Sequence, residues 1–316
     1  MRAVVTGGAG FIGSNLVDGL AARGDEVLVL DDLSHGSEAN LYAARERGAR
    51  LAKVDIRDAE AVHGEITAFA PEVVFHMAAQ IDVRTSMVEP ARDAATNVLG
   101  SLNVFTAALA AGARRVVNTS TGGAIYGETT QVPTPETAAT RPLSAYGLGK
   151  RTVEEYGAWF GQAHGLDVLT LRYGNVYGPR QDPKGDAGVI AIFCDRVLTG
   201  RTPTVFGDGR QTRDYVFVGD IVGANLLAAD AVDPAHAVYN VGTGTEVDIL
   251  ALIEAVARAA DVDPAAFAPA HEPSRAGEVL RSCLDVTLAR AELGLPEPTP
   301  LTDGLRATLD WVRTVS

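Results

Sequence analysis

The sequence has only two cysteines, Cys194 and Cys283, far apart and without companion ligands. That leaves neither a disulfide framework nor a zinc site to build on. No apolar run approaches the ~18–20 residues that a membrane span requires, and the short apolar stretch after Arg2 reads as a strand rather than a secretory leader. Positive charge is also scarce. The 27 Lys and Arg against 40 Asp and Glu leave a net charge of -13, which argues against nonspecific binding to nucleic acid or anionic membranes. An anionic small ligand stays open, because a pocket needs only local donors. The expectation is a cytoplasmic protein with no metal, no nucleic-acid partner and no membrane partner. Its 316 residues, 47% of them hydrophobic, suffice for one large or two modest domains with a real core.

What the chain does have begins at once. Residues 3–5 read as a buried strand, Gly7, Gly10 and Gly13 follow, and residues 11–23 have a helical pattern. A second apolar run at 26–30 ends in Asp31-Asp32. Three glycines alone could simply make a turn. Strand, glycines, helix, strand and acid in that order predict a dinucleotide site. Gly7 allows the tight turn, Gly10 lets the backbone approach a pyrophosphate, and Gly13 lets helix and strand pack closely. The helix N-terminus offers free N–H groups and partial positive charge to the anion, and the acid pair stands where an adenosine ribose would donate.

Further strands are expected at 50–54, 72–75, 115–118 and 168–171, with helices between them, notably at 91–111 and 145–164. Strict alternation predicts an α/β fold with a doubly wound parallel sheet, whose ligands lie beyond the carboxyl ends of the strands. That rule selects the glycine loop, Asp55-Ile56, residues 76–80 and residues 119–123. Past residue 176 the regularity fades into Gly- and Pro-rich loops. The expected division is a dinucleotide-binding domain over 1–176 and a smaller α/β domain over 177–316, with some later segments returning to the first.

Tyr146 and Lys150 are a second signal, since residues four apart share a helix face. A free tyrosine ionises near pH ~10, and a cationic neighbour that lowered this by ~3 units would contribute roughly 4 kcal/mol. Such a phenolate takes a proton from a sugar hydroxyl while the adjacent carbon loses hydride.

Together these stretches resemble the extended short-chain dehydrogenase/reductase family, in its NAD-dependent nucleotide-sugar epimerase/dehydratase branch. Within it the likeness is strongest to the bacterial enzymes that interconvert UDP-glucose and UDP-galactose. It runs through residues 6–13, 31–34, 55–56, 76–80, 97–100, 120–127, 146–150, 172–180, 207–218 and 275–278. The resemblance implies Tyr146 as base and Lys150 as its tuner and ribose anchor. The third catalytic group falls on Thr121, 25 residues before the tyrosine, with Ser120 as competitor. NAD would be held by Gly7, Gly10, Phe11, Ile12 and Gly13, and by Asp31, Asp32, Asp55 and Ile56. Ala78, Ala79, Gln80, Asn97 and Tyr173 complete that set, with Tyr146 and Lys150. Asp31 favours NAD over NADP, because it would repel a 2′-phosphate.

For the UDP-sugar, the resemblance implies Asn175 and Arg213 at the diphosphate, with Arg275 and Glu278 at diphosphate and ribose. Val189, Thr121 and Tyr146 join the substrate side, and Arg84 and Ser86, in the loop after residue 80, stand within possible reach of the sugar. His76 is expected to pack rather than react. Ser282, seventh after Arg275, borders the sugar's 2-substituent, and its small size implies that N-acetylated sugars are admitted too. The family's dehydratases carry Thr-Asp-Glu where this chain has Thr121-Gly122-Gly123, so elimination is disfavoured and a retained NAD that takes hydride and gives it back is expected. Two departures stand out: Val216-Phe217-Val218-Gly219-Asp220 lacks the usual histidine and one acid, and Arg275-Ala276-Gly277 lacks a common proline. The alternatives are a UDP-glucuronate 4-epimerase or decarboxylase and, more remotely, a non-catalytic NAD-binding scaffold. The family also implies a homodimer built on the helices 91–111 and 145–164.

Overall fold

Six strands in the first half of the chain, β1 (Arg2–Thr6), β2 (Glu26–Asp31), β3 (Arg50–Lys53), β4 (Val73–His76), β5 (Arg115–Thr121) and β6 (Asp167–Tyr173), form one parallel sheet. A seventh strand, Val238–Val241, joins it beside β6, giving the order Val238–Val241, β6, β5, β4, β1, β2, β3. The computed structural model describes residues 1–183, 188–274 and 279–315. Both faces of the sheet are covered, so its strands are continuous apolar runs rather than alternating ones. On one face Val5, Val29, Phe75 and Val117 pack under helix α1 (Phe11–Ala22) and helix Val218–Asp230. On the other, Val4, Leu30, Val74 and Val116 pack under Ala59–Phe69, Gly100–Ala110 and Ala145–His164.

The expected strands are all present, and most run one to three residues further. β5 extends through Asn118, Thr119 and Ser120 because its pairing with β6 continues to Thr121↔Tyr173, carrying polar residues to the sheet's carboxyl edge. The helix expected at 91–111 contains an irregularity: Pro90–Ala94 and Gly100–Ala110 are joined by a π turn, Ala95–Leu99. The helix Ala145–His164 has the expected bounds. Ser144 caps it by accepting from Gly147 N at 3.1 Å, and Gly165 ends it at φ 72°. The strand Val238–Val241 was not expected. It is four residues long with Asn240 inside it, too short to register as periodicity.

A separate core lies in the second half. Tyr177, Phe193, Val205, Tyr215, Ile253 and Leu309 are buried together there, and short strands surround it. No helix among the described residues is long and apolar enough to cross a membrane. Both cysteines are buried free thiols.

Candidate active site

The glycine loop is built for close contact. Gly7 has φ +66°, and a Cβ there would lie 2.7 Å from Ala78 Cα; one at Gly13 would lie 2.2 Å from the Gly7 carbonyl oxygen. At Gly10, the N-cap of α1, a Cβ would approach only the Gly7 oxygen, at 3.3 Å. No side chain caps this helix, so the amides of its first turn are left for an outside acceptor. Phe11 and Ile12 open α1 half-buried, and Ile12 packs into the core below.

Asp31 clamps the loop. Its Oδ2 accepts from Ala9 N at 2.9 Å and its Oδ1 from Leu33 N at 2.8 Å. Burial pushes its carboxyl above the ordinary range, against those two N–H bonds. Each oxygen keeps a second lone pair for a ribose hydroxyl. Asp32 accepts from Ser34 N and Oγ instead. Asp55 is gripped by Arg57, with Nε at 2.9 and 3.0 Å and Nη2 at 2.5 Å, which draws its carboxyl below the usual range. Ile56 is buried where a Cβ at Gly100 would collide with it.

Beyond β4 the chain is held by a buried polar chain. His76 Nδ1 pairs with Thr6 Oγ1 at 2.8 Å and its Nε2 with Ser101 Oγ at 2.7 Å. Burial, with Lys150 nearby, lowers the imidazole to about 3, so it is neutral. Ala78 N donates to Thr6 Oγ1, and Ala79 is half-buried beside it. Asn97, inside the π turn, accepts from Gln80 N at 2.8 Å and donates to Gln80 O at 2.9 Å. Gln80 Nε2 and Asn97 Nδ2 both donate to Asp93 Oδ1 at 3.0 Å.

At the end of β5 the Thr121 side chain stands beside the Tyr146 phenol and acts to lower its pKa. Burial, and then Asp93, pushes that phenol up to about 12. Lys150 Nζ donates to Thr119 O at 3.0 Å, and burial brings its ammonium down to about 8 despite Asp93 and Glu154. The expected lowering of the tyrosine by the lysine is not found: burial and Asp93 raise the phenol, and Thr121, not Lys150, works against them. Ser120 turns to the opposite face of the strand, as alternation demands. It lies in register with Arg172, and its buried Oγ has no partner among the described residues. Tyr173 is buried behind Thr119, its hydroxyl 3.3 Å from Thr119 Oγ1 and 2.7 Å from Asn225 Nδ2.

The remaining residues come mostly from later in the chain, with Arg84 and Ser86 from earlier. Asn175 is exposed, and its Oδ1 would be 3.5 Å from a Cβ at Gly123, next to Thr121. Arg213 stands in register with Ser282 on adjacent strands, half-buried, and its neighbour Asp214 ties down Thr243, Gly244 and Leu284. Val189 opens the helix Val189–Leu198. Arg84 and Ser86 lie on a helix, Val83–Val88, not on a loop. Ser86 is fully buried; its hydroxyl donates to Val83 O and accepts from Tyr146 N at 3.1 Å, so it holds the tyrosine's backbone. Arg275 and Glu278 lie outside the described residues.

Residues 3–242 match the model of the NAD dependent epimerase/dehydratase family. The chain belongs to that family. Its cofactor is NAD, and the glycine cradle, uncapped helix and buried Asp31 fit the group. Over its whole length the chain is 44% identical to a UDP-glucose 4-epimerase of Mycolicibacterium smegmatis, which it covers entirely. It superposes with a TM-score of 0.94, at 44% identity, on the UDP-glucose 4-epimerase of Thermotoga maritima solved with UDP-glucose, covering 100% of this chain and 99% of that one. The Thermus thermophilus UDP-glucose 4-epimerase, solved with NAD, gives 0.91 at 42% identity, with both chains fully covered.

Three residues that contact the candidate site were missed by sequence reasoning. Asp93 is a lone acid in an alanine-rich helix, and nothing in the sequence marks it as facing inward. Arg57 could have been found from its two-residue spacing to Asp55. Ser101 carries no local signal, because it meets the site only through His76, 25 residues away in sequence.

Proposed function

We propose that the protein is a UDP-glucose 4-epimerase that interconverts UDP-glucose and UDP-galactose through a 4-keto sugar with retained NAD. The observation that carries this reading is the Tyr146 phenol beside the Thr121 side chain at the carboxyl edge of the sheet, with no carboxylate at 122 or 123. Tyr146 takes the proton of the sugar's 4-hydroxyl, and Thr121 orients that hydroxyl. Lys150 supplies positive charge one helical turn away and anchors the nicotinamide ribose. Bound NAD supplies the hydride acceptor and donor, and its positive ring adds to the field that favours the phenolate. Without an acid and a base at 122 and 123 the keto sugar cannot lose water, so the sugar turns over in the cleft. Tyr146 then reprotonates the oxygen at the inverted carbon. In this reading Ser120, on the other strand face, is not the hydroxyl contact. Residues 1–176 chiefly hold the cofactor and residues 177–316 the nucleotide sugar, through Val189, Arg213, Arg275 and Glu278, joined by Asn175 from the end of the first part.

A panel of UDP-glucose, UDP-N-acetylglucosamine, UDP-glucuronate and dTDP-glucose, with products separated by chromatography and no added oxidant, tests this. Galactose formation from UDP-glucose is the expected result. Turnover of UDP-glucuronate alone would replace the proposal with the acid-sugar reading. Ser282, small and beside Arg213, leaves room for a 2-acetamido group. Ser282→Tyr is expected to lower turnover of UDP-N-acetylglucosamine by about 10²-fold while sparing UDP-glucose. Equal loss on both substrates would refute that role.

The helix Ala145–His164 exposes Leu148, Tyr156 and Trp159, and Leu99 is exposed on the neighbouring helix. An apolar face of this kind suits a second copy of the chain. Light scattering should give a dimer mass, and a monomer mass would remove this part of the proposal.

A further inference from the structure

Asp93 is 2% exposed, on a helix that packs against the one carrying Tyr146 and Lys150. A buried carboxylate is costly unless it is hydrogen-bonded or paired with a cation. Asp93 is both. Its Oδ1 accepts from Gln80 Nε2 and Asn97 Nδ2, each at 3.0 Å, and a Cβ at Gly149 would lie 3.2 Å from its Oδ2. The carboxylate thus lies close against the helix backbone between Tyr146 and Lys150, and a side chain at 149 would press it back by a few tenths of an ångström. The π turn at Ala95–Leu99 serves the same arrangement, since it holds Asn97 against both Gln80 and Asp93. A π turn inserted in an otherwise regular helix commonly accompanies a site.

We infer that Asp93 is a positioning residue that sets the protonation of the Tyr146–Lys150 pair, keeping the buried Lys150 charged and holding the phenol protonated until cofactor and substrate arrive. The inference rests on the assignment of Tyr146 and Lys150 as the reacting pair. A negative charge next to an ammonium and a phenol acts on both in the same direction: it favours the protonated form of each. The other groups facing this point are few. Glu154, one turn beyond Lys150, is held by Arg172. His76 lies near Lys150 and is neutral. Asp82 caps the helix Val83–Val88 and accepts from Arg84 N and Thr85 N. Gln80 and Asn97 carry no charge. Asp93 is therefore the acid that acts directly on both members of the pair, as the electrostatics of the phenol and the ammonium register.

The test is the pH profile of kcat for the NAD-loaded enzyme. Asp93→Asn keeps the shape and still accepts from Gln80 and Asn97 through Oδ1, but removes the charge. Tyr146 must be ionised and Lys150 protonated for turnover, so the acid limb follows the phenol and the basic limb the ammonium. Both limbs are expected to move to lower pH by about one unit, with KM for the nucleotide sugar changed less than kcat. A residue that merely supports the loop would lower the rate at every pH and leave the limbs in place, and that result overturns the inference. Asp93→Glu retains the charge and is expected to keep the native limbs at a lower rate. If D93N does not fold, the neutral Asp93→Ser is read in the same way: limbs displaced to lower pH support the inference, and native limbs overturn it. Tyr146→Phe separates the two failures: a fully active Y146F removes the reacting pair itself, whereas an inactive Y146F with unmoved limbs in D93N removes only the role of Asp93.

Discussion

Tyr146→Phe is expected to lower kcat for 4-epimerisation by on the order of 10²–10⁴, with NAD still bound and the fold intact. The substitution removes one oxygen and nothing else. The ring keeps its place, since the Tyr146 backbone is held by Ser86 Oγ and the helix is capped by Ser144. What disappears is the phenol oxygen beside Thr121, the group that exchanges a proton with the sugar hydroxyl. The loss should fall on kcat, because the phenol acts on the reacting atom and not on the distant diphosphate. Chromatographic product assay and spectrophotometric NAD content on one preparation check both halves of the expectation. Full activity would end the assignment of Tyr146 as base.

The second large effect is expected at Gly13. A methyl group there would sit 2.2 Å from the Gly7 carbonyl oxygen and 2.8 Å from Gly8 Cα, both backbone positions that cannot rotate away. The loop must therefore move as a unit, and it is clamped by Asp31 through Ala9 and packed on Ala78. Gly13→Ala should cost about 1–3 kcal/mol of stability and lower the NAD content of purified protein by at least about tenfold, since ~1.4 kcal/mol is tenfold in affinity. Thermal unfolding and cofactor extraction measure the two. A variant with native NAD content and Tm would mean that the first turn of α1 is not a cofactor cradle.

Much of the fold was legible because its signals are local. The glycine spacing, the apolar runs of β1, β2, β4 and β6, and the bounds of the helix Ala145–His164 all follow from neighbours within a few residues. The strand Val238–Val241 was not legible, since its place at the sheet edge depends on β6, far away in sequence. The same contrast runs through the candidate site. Tyr146 and Lys150 share a helix face by spacing alone. Thr121 and Ser120 are adjacent in sequence, and only the pairing of β5 with β6 turns one toward the phenol and the other away from it. Ser86 looked like a sugar contact until its burial put its hydroxyl on the Tyr146 amide.

The sequence by itself determined the family, the doubly wound sheet and the residue types that meet at its carboxyl edge, because those depend on periodicity, turn chemistry and motif spacing. Tertiary structure alone decided the charge state of the pair. Lys150 beside Tyr146 predicts an easily ionised phenol in water, yet desolvation dominates once both are enclosed, taking the tyrosine up to about 12 and the lysine down to about 8. The acid that bears on both, Asp93, arrives from a helix 53 residues earlier than Tyr146. Burial and long-range approach are properties of the folded chain, and no spacing in the sequence encodes them.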